Sequence, residues 1–270
     1  MSISVSGSFF LKKPVTVDES LLLNLTKVIS SKGFVTLILG KGYEEALSEK
    51  NCNKFLTSRD YFLHIIKKAP FDTGIYQDML PSCDVTLFFN RTPDSPIEIK
   101  IGTNSFPVFQ SKLYLGDNES KYIFVSDNDS SRNYTAIAWR FKQLVALFEI
   151  IGEFFGSNLF YGQLTDDSNG GVVPFSYEFY EYHHRKLALN SSGLLANSWA
   201  LFFGEDLVNH FGKKELMGIP KHKKVDLPNG LLISKDGSNP EGIAMDDGWK
   251  ESLKFFTNFF DKNPINNWRK

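Results

Sequence analysis

The chain has 270 residues, of which 42% are hydrophobic and 23% charged, and its net charge is −1. This length and balance predict a globular protein with a substantial core, and the near-neutral charge argues against the clustered lysine and arginine with which proteins grip nucleic acid. No run reaches the ~18 apolar residues of a membrane span, and two isolated cysteines, Cys52 and Cys83, favour neither a zinc site nor a disulfide framework.

The first predicted elements are a strand, a helix and a second strand. In "MSISVSGSFFLKK" apolar residues alternate with serine, which predicts a strand. Its basic residues follow the apolar ones, unlike those of a signal peptide, so we expect the protein to stay in the cytoplasm. Thr16 and Glu19 have the spacing of a capping box, with Asp18 as a second candidate cap, and the helix should end at Gly33. "FVTLILG" then predicts a buried strand.

Two helices and a meander of strands are predicted next. "YEEALSEK" and "SRDYFLHIIKKAP" are interpreted as helices, the second ended by Pro70 and holding His64 as a packing residue. The stretch "GKGYEEA" has glycines but lacks the GKS or GKT ending of a phosphate-binding loop. Turn residues then separate four apolar runs, which predicts antiparallel strands for "CDVTLFFN", "PIEIKIG", "FPVFQSKLYLG" and "YIFVSD".

The strongest helix signal runs from about Arg132 to Phe155, with Gly156 as its C-terminal cap. Its apolar residues form two stripes, which predicts a central helix covered by other elements. "NLFYGQL" predicts a strand and "PFSYEFYEYHH" an extended segment. Asn229-Gly230 predicts a hairpin turn, and "DDGWKESLKFFTNFF" predicts a closing helix.

These elements predict an α+β fold, with largely antiparallel sheet or sheets packed against a long central helix and a C-terminal helix. No repeat or clear linker divides the chain. We therefore expect a single domain over residues 1–270, with two packed α+β halves, about 1–128 and 129–270, as the alternative arrangement.

A nuclease-like pattern lies in "RTPDSPIEIK". Asp94, Glu98 and Lys100 are residue types of metal-dependent nucleases, whose carboxylates converge on Mg²⁺. Only three residues separate the two carboxylates, and one of them is Pro96, which leaves little room for the necessary turn. The alternation of isoleucine with Glu98 and Lys100 is that of a strand with one solvated face. The pattern therefore favours a surface strand, and we expect no metal or other cofactor.

Acidic residues paired near aromatic ones are the more informative pattern. Such pairs commonly serve solubility or the first turn of a helix. They would also suit an acidic, aromatic-rich face that docks on a basic protein surface, because aromatic side chains anchor interfaces and clustered charge speeds association. The predicted partner contacts are Asp166, Asp167, Glu178, Glu181, Glu205 and Asp206.

The C-terminal half resembles a known family. "NSWALFFGEDLVNHFG" has a tryptophan, a Gly-acidic step and an apolar helix that ends in glycine, and "IPKHKKVDLPNGLLIS" and "NPEGIAMDDGWKESLKFF" follow it. This succession is similar to the type VI immunity family, found beside polymorphic toxins and secreted antibacterial effectors. The positions that carry the resemblance are Trp199, Phe203, Gly204, Leu207, Gly212, Gly230, Pro240 and Gly242.

The resemblance implies a cytoplasmic, non-enzymatic inhibitor that binds one cognate toxin. Relatives are encoded next to nuclease effectors, so the implied mechanism is occlusion of the active cleft or of the basic DNA-binding face. Acidic groups with aromatic anchors would suit such a face. Two alternatives stay open: a metal-dependent nuclease that uses the "RTPDSPIEIK" pattern, and a small-molecule-binding module around Tyr177, Tyr180 and Tyr182.

A cleavage assay separates the inhibitor from the nuclease. Because the charge pattern of "RTPDSPIEIK" is explained by a solvated strand, we expect the purified chain with Mg²⁺ to leave DNA and RNA intact, and Glu98→Ala to behave identically. Mg²⁺-dependent cleavage that disappears in Glu98→Ala would contradict the inhibitor.

Overall fold

In the computed structural model the described residues are 5–13, 15–58, 60–70, 82–89, 99–103, 130–166, 198–219 and 222–234. The strands are β1 (Val5–Leu11), β2 (Val35–Gly40), β3 (Tyr43–Ala46), β4 (Phe62–Lys68), β5 (Ser82–Phe89), β6 (Ile99–Thr103), β7 (Leu159–Asp166), β8 (Ser198–Gly204), β9 (Lys223–Leu227) and β10 (Gly230–Ser234). The helices are α1 (Glu19–Ser30), α2 (Cys52–Thr57), α3 (Ser130–Phe155), α4 (Glu205–Phe211) and α5 (Lys213–Met217), with a 3-10 turn at Gly156–Asn158.

One sheet contains all ten described strands, in the order β3-β2-β4-β5-β6-β1-β7-β8-β10-β9. β1 lies between β6 and β7, so that Phe9 stands between Ile99 and Gly162. Every ladder between the described strands is antiparallel. Together with the helices that pack on this sheet, the ladders confirm the α+β class.

The first helix begins and ends where its capping residues predict. Asp18 is the N-cap, and its Oδ1 accepts a hydrogen bond of 2.8 Å from the backbone N–H of Leu21. At the other end Gly33 has a φ of 78°, a left-handed conformation that glycine adopts without steric cost. The predicted helix is thus confirmed, with Asp18 as the N-cap and not Thr16, and with its last residue at Ser30, three residues before Gly33.

The predicted helix over "YEEALSEK" is wrong. Tyr43–Ala46 is strand β3, which pairs with β2 so that Gly40 lies opposite Tyr43. The two turn residues between them, Lys41 and Gly42, both have positive φ, 50° and 72°, as in the type I′ turns that join hairpin strands. Pairing across this turn overrides the helical propensity of the glutamates and alanine.

The predicted helix over "SRDYFLHIIKKAP" is also wrong. Phe62–Lys68 is strand β4, paired with β2 on one side and β5 on the other, with His64 between Leu37 and Thr86. A short apolar run fits a buried strand as well as a helix, and periodicity alone does not separate the two. The strand conformation is fixed by pairing with strands on both sides that are distant in sequence. His64 is buried in this strand, with 8% of its surface exposed.

The predicted strands at β1, β2, β5, β6 and β7 are confirmed. The hairpin of β9 and β10 is confirmed as well, with a turn shifted by one residue: Leu227 pairs with Gly230, so Pro228 and Asn229 form the turn. The closing helix, "PFSYEFYEYHH" and the two later strands of the meander lie outside the described residues.

One face of the sheet packs against α1 and α3. The rings of Phe9 and Phe148 stack with centroids 4.6 Å apart. Phe202 is fully buried and lies close to Gly152 of α3 and Gly162 of β7, where an added Cβ would be 2.6 and 3.2 Å from it. The absence of side chains at these two glycines therefore lets the α3 backbone approach the sheet.

The opposite face is covered near β7, β8 and β10 by α4. Successive residues of a strand point to opposite faces, so Phe203 lies away from α3. Its ring contacts Tyr161 and Phe211 edge-on, with centroids 5.8 and 6.2 Å apart. Leu207 and Leu216 of α4 and α5 are buried with them. The sheet is thus buried on both faces in this region.

Gly152→Ala tests the close approach of α3 to the sheet. In an open helix the change would add up to about 1 kcal/mol of stability. Because the new Cβ would lie 2.6 Å from the Phe202 ring, we expect urea denaturation to show a loss of about 1–3 kcal/mol. Combined with Phe202→Leu the loss should shrink, and strictly additive effects of the two changes would contradict the clash.

Candidate functional site

Two of the predicted contacts, Glu205 and Asp206, form the first turn of α4, directly after β8. The chain turns at Gly204, where an added Cβ would lie 2.1 Å from the carbonyl oxygen of Leu159. Both carboxylates are exposed, while Leu207 of the same helix is 2% exposed. One side of α4 is therefore buried against the sheet, and the two acidic side chains of its first turn point to solvent.

Asp206 has a basic partner within the chain. Lys12 Nζ lies 2.8 Å from Asp206 Oδ2, and the lysine side chain is 22% exposed and the aspartate 56%. Lys12 is held by its backbone, whose N–H donates to the carbonyl of Asn158 over 2.8 Å. Glu205 forms no ion pair with any of the described residues. Glu205 is therefore the carboxylate of this turn that is more available to another molecule.

Asp166, the one other predicted contact that the structure describes, does not lie beside α4. Asp166 ends β7, opposite Val5, whereas α4 starts near Leu159 at the other end of that strand. Seven steps along a strand span about 23 Å. Asp167, Glu178 and Glu181 lie outside the described residues. Of the predicted contacts that the structure describes, only Glu205 and Asp206 lie side by side.

Basic residues, which the sequence analysis did not select, lie next to α4. Lys213 and Lys214 begin α5, and both are exposed. Lys213 Nζ lies 2.6 Å from Asp226 Oδ2 of β9. β9 itself begins with Lys223 and Lys224. The signal for this group is visible as "GKKE" and "KHKK", two lysine runs ten residues apart.

Another acidic pair, Glu149 and Glu153, lies one turn apart on α3. Burial raises the pKa of Glu149, and the Glu153 carboxylate raises it further, while Lys223 and Lys32 act in the opposite direction. Glu149 is half-buried and Glu153 exposed. Repulsion within the pair and loss of solvent thus both disfavour the charged form of Glu149.

The residues of the two alternative functions are only partly described. Lys100 lies in β6, opposite Ser8 of β1 and Phe88 of β5. Asp94 and Glu98 lie outside the described residues, as do the tyrosines at 177, 180 and 182. Among the residues that the structure does describe, no group of three or more His, Cys, Asp or Glu side chains is arranged to hold a metal ion. None of the described helices is both long enough and apolar enough to cross a membrane.

Comparison with known proteins found one weak likeness. No family model and no curated protein matches the chain. A solved structure of a T6SS protein from Pseudomonas aeruginosa matches 94% of this chain and 73% of its own chain, with 10% identity and a TM-score of 0.38. A likeness at this level carries no argument about fold or function.

The pKa of Glu149 predicts a pH-dependent stability. Its pKa in the folded chain is raised above the ordinary 4.5, so the carboxyl stabilises the fold when protonated, and this contribution is lost as pH rises from 4.5 through the folded pKa. Urea denaturation should show Glu149→Gln to be more stable than the parent at pH 7, with a smaller difference at pH 4. Glu44→Gln, an exposed residue of β3, is the control. A less stable Glu149→Gln at pH 7 would contradict this account.

Proposed function

We propose that this chain is an immunity protein that binds and neutralises a cognate antibacterial toxin or effector, a nuclease, by occluding its active or DNA-binding surface. The resemblance of residues from Trp199 onward to the type VI immunity family supports the class of function. The observation that carries the proposal is the first turn of α4, where Glu205 and Asp206 are exposed on a helix with a buried opposite side.

Rigid presentation is what makes this turn suitable for binding. Leu207 and Phe211 are buried beneath α4, so little order has to be gained when a partner docks. Binding to a preorganised surface avoids the entropic cost of fixing a mobile one. A DNA-binding face is basic, and opposite charge both steers the encounter and disfavours partners of the wrong sign.

The ion pair between Lys12 and Asp206 determines how much each of the two carboxylates can contribute to toxin binding. A basic side chain of the toxin would bind Glu205 directly but would have to compete with Lys12 for Asp206. Exposed ion pairs contribute ~0–1 kcal/mol, so this exchange costs little. Glu205 is accordingly the stronger contact of the two. Occlusion requires shape and charge only, so the proposal needs no catalytic group, cofactor or bound nucleic acid.

Coexpression with the candidate toxin tests the proposal. A secreted protein encoded by a gene beside that of this chain would be the toxin to use. The readout is survival of the coexpressing cells together with the dissociation constant of the purified pair. The parent chain should protect. Glu205→Lys with Asp206→Lys should weaken binding about tenfold or more, because two favourable charges become repulsive. Circular dichroism and a thermal melt check that the variant is folded.

A matched control carries the same change of charge elsewhere. Glu44→Lys with Glu49→Lys reverses two exposed acidic residues in and beside β3, which six strands separate from β8. It should protect like the parent. A folded α4 variant that protects fully would exclude α4 as the interface. A parent chain that neither binds nor protects would refute the immunity function itself.

A further inference from the structure

The two ends of the sheet differ in how their edges are finished. β3 and β9 are the outermost of the described strands. An edge strand presents backbone N–H and C=O groups that have no strand to pair with. In a hairpin with a two-residue turn, the two residues of the closing pair form both backbone hydrogen bonds with each other. Moving away from the turn, every second pair of opposite residues is bonded in the same way. The residues that alternate with these bonded ones point their backbone N–H and C=O groups away from the partner strand, towards the edge of the sheet.

At β3 the outward edge is partly closed. The backbone N–H of Leu47 donates to Thr36 of β2 over 2.9 Å, so Glu44 and Ala46 are the outward residues. The Nδ2 of Asn51 donates to the carbonyl of Ala46 over 2.8 Å. Asn51 is 3% exposed, and its Oδ1 accepts from the backbone N–H of Ser48 over 2.9 Å. This amide therefore occupies a backbone group that an added strand would need.

At β9 the outward edge is open among the described residues. Leu227 and Gly230 are the closing pair, which makes Asp226 and Lys224 the outward residues. No described group forms a hydrogen bond with the backbone of either residue on that side. β9 therefore offers two N–H and two C=O groups in the spacing of a strand.

The side chains of this edge favour an acidic ligand. Lys224 and Asp226 lie on one face of β9, and the Asp226 carboxylate is already paired with Lys213. Lys213 and Lys224 together outnumber Asp226, so this face carries a net positive charge. On the other face, Val225 and Leu227 pack partly buried against the core. An added strand would meet net positive charge on one face, and Val225 and Leu227 with the exposed Lys223 beside them on the other.

We propose that β9 binds an extended acidic segment of another protein, added antiparallel as an eleventh strand, with carboxylates on the face of Lys224 and apolar side chains beside Val225. Addition of a strand to a sheet edge gives affinity through the main chain and specificity through alternate side chains. Lys213 and Lys224 outnumber Asp226 at this edge, and Asp226 is already paired with Lys213. The edges of two copies would therefore both carry net positive charge, which favours an acidic partner over a second copy. The inference does not depend on the immunity function.

A labelled hexapeptide, Glu-Val-Glu-Val-Glu-Val, is the probe, and fluorescence anisotropy with the full chain is the measurement. In antiparallel pairing, the residues opposite Lys224 and Asp226 have their side chains on the same face and their N–H groups towards β9. These are the glutamates. N-methylation of the glutamate nitrogens should abolish binding, whereas N-methylation of the valine nitrogens should not. Lys-Val-Lys-Val-Lys-Val should bind at least tenfold more weakly.

Three protein variants separate the effect of charge from that of backbone pairing. Lys224→Glu should weaken binding of the acidic hexapeptide about tenfold. Asp226→Ala and Asp226→Pro both remove the carboxylate, but only proline also removes the outward N–H, and an edge strand tolerates it. Asp226→Ala should bind at least as tightly as the parent, and Asp226→Pro about tenfold more weakly than Asp226→Ala.

The proposal is overturned if the parent chain does not bind the acidic hexapeptide. It is also overturned if the glutamate-methylated peptide binds as tightly as the unmethylated one, or if folded Lys224→Glu binds as the parent does. Because the methylated peptides are measured on the parent chain, this outcome does not depend on the folding of any variant. Saturable binding that is lost on glutamate methylation and weakened by Lys224→Glu supports the proposal.

Discussion

The continuity of the sheet depends on one seven-residue strand. β1 pairs with β6 on one side and with β7 on the other, and in the strand order it joins β3-β2-β4-β5-β6 to β7-β8-β10-β9. Its partners are about 90 and 150 residues away along the chain, so the loops that these pairings close are long and entropically costly. Phe9 of this strand packs on Phe148 of α3, which ties the central pairing to the main core. Most of the fold's order therefore depends on contacts that are distant in sequence.

The sequence predicted correctly those elements that are determined by hydrogen bonds and turns between residues close together in the chain. Asp18 caps α1 because its short side chain accepts a hydrogen bond from the free backbone N–H of Leu21. The Asn-Gly signal located the β9–β10 hairpin, although its turn lies one residue earlier. β4 was misassigned because its conformation is decided by β2 and β5 on either side, and no local pattern contains those neighbours. At the candidate site, charge alone identified Glu205 and Asp206. Neither the ion pair with Lys12 nor the separation of Asp166 from α4 can be derived before the strand order is known.

The α4 region shows how a small helix acquires a fixed position. It has seven residues, too few to be stable alone in water. Leu207 and Phe211 hold it on the sheet, and Phe211 contacts Phe203 of β8 edge-on. Burial raises the pKa of Tyr161, which lies in the same small core. The position of the exposed carboxylates is therefore set by aromatic packing, and a substitution in that packing would disturb binding without touching the binding surface.

The amide of Asn51 at β3 has a consequence for assembly. A sheet with two open edges can grow from both ends and form a fibre, because each added molecule presents a new edge to the next. Here one outward carbonyl of β3, that of Ala46, is occupied by an asparagine that is itself buried and hydrogen-bonded. The two described edges therefore differ: an added strand at β3 would have to displace the Asn51 amide, whereas no described group would have to be displaced at β9. A protein with two such different edges can keep one edge strand available for binding without forming a fibre through both ends of its sheet.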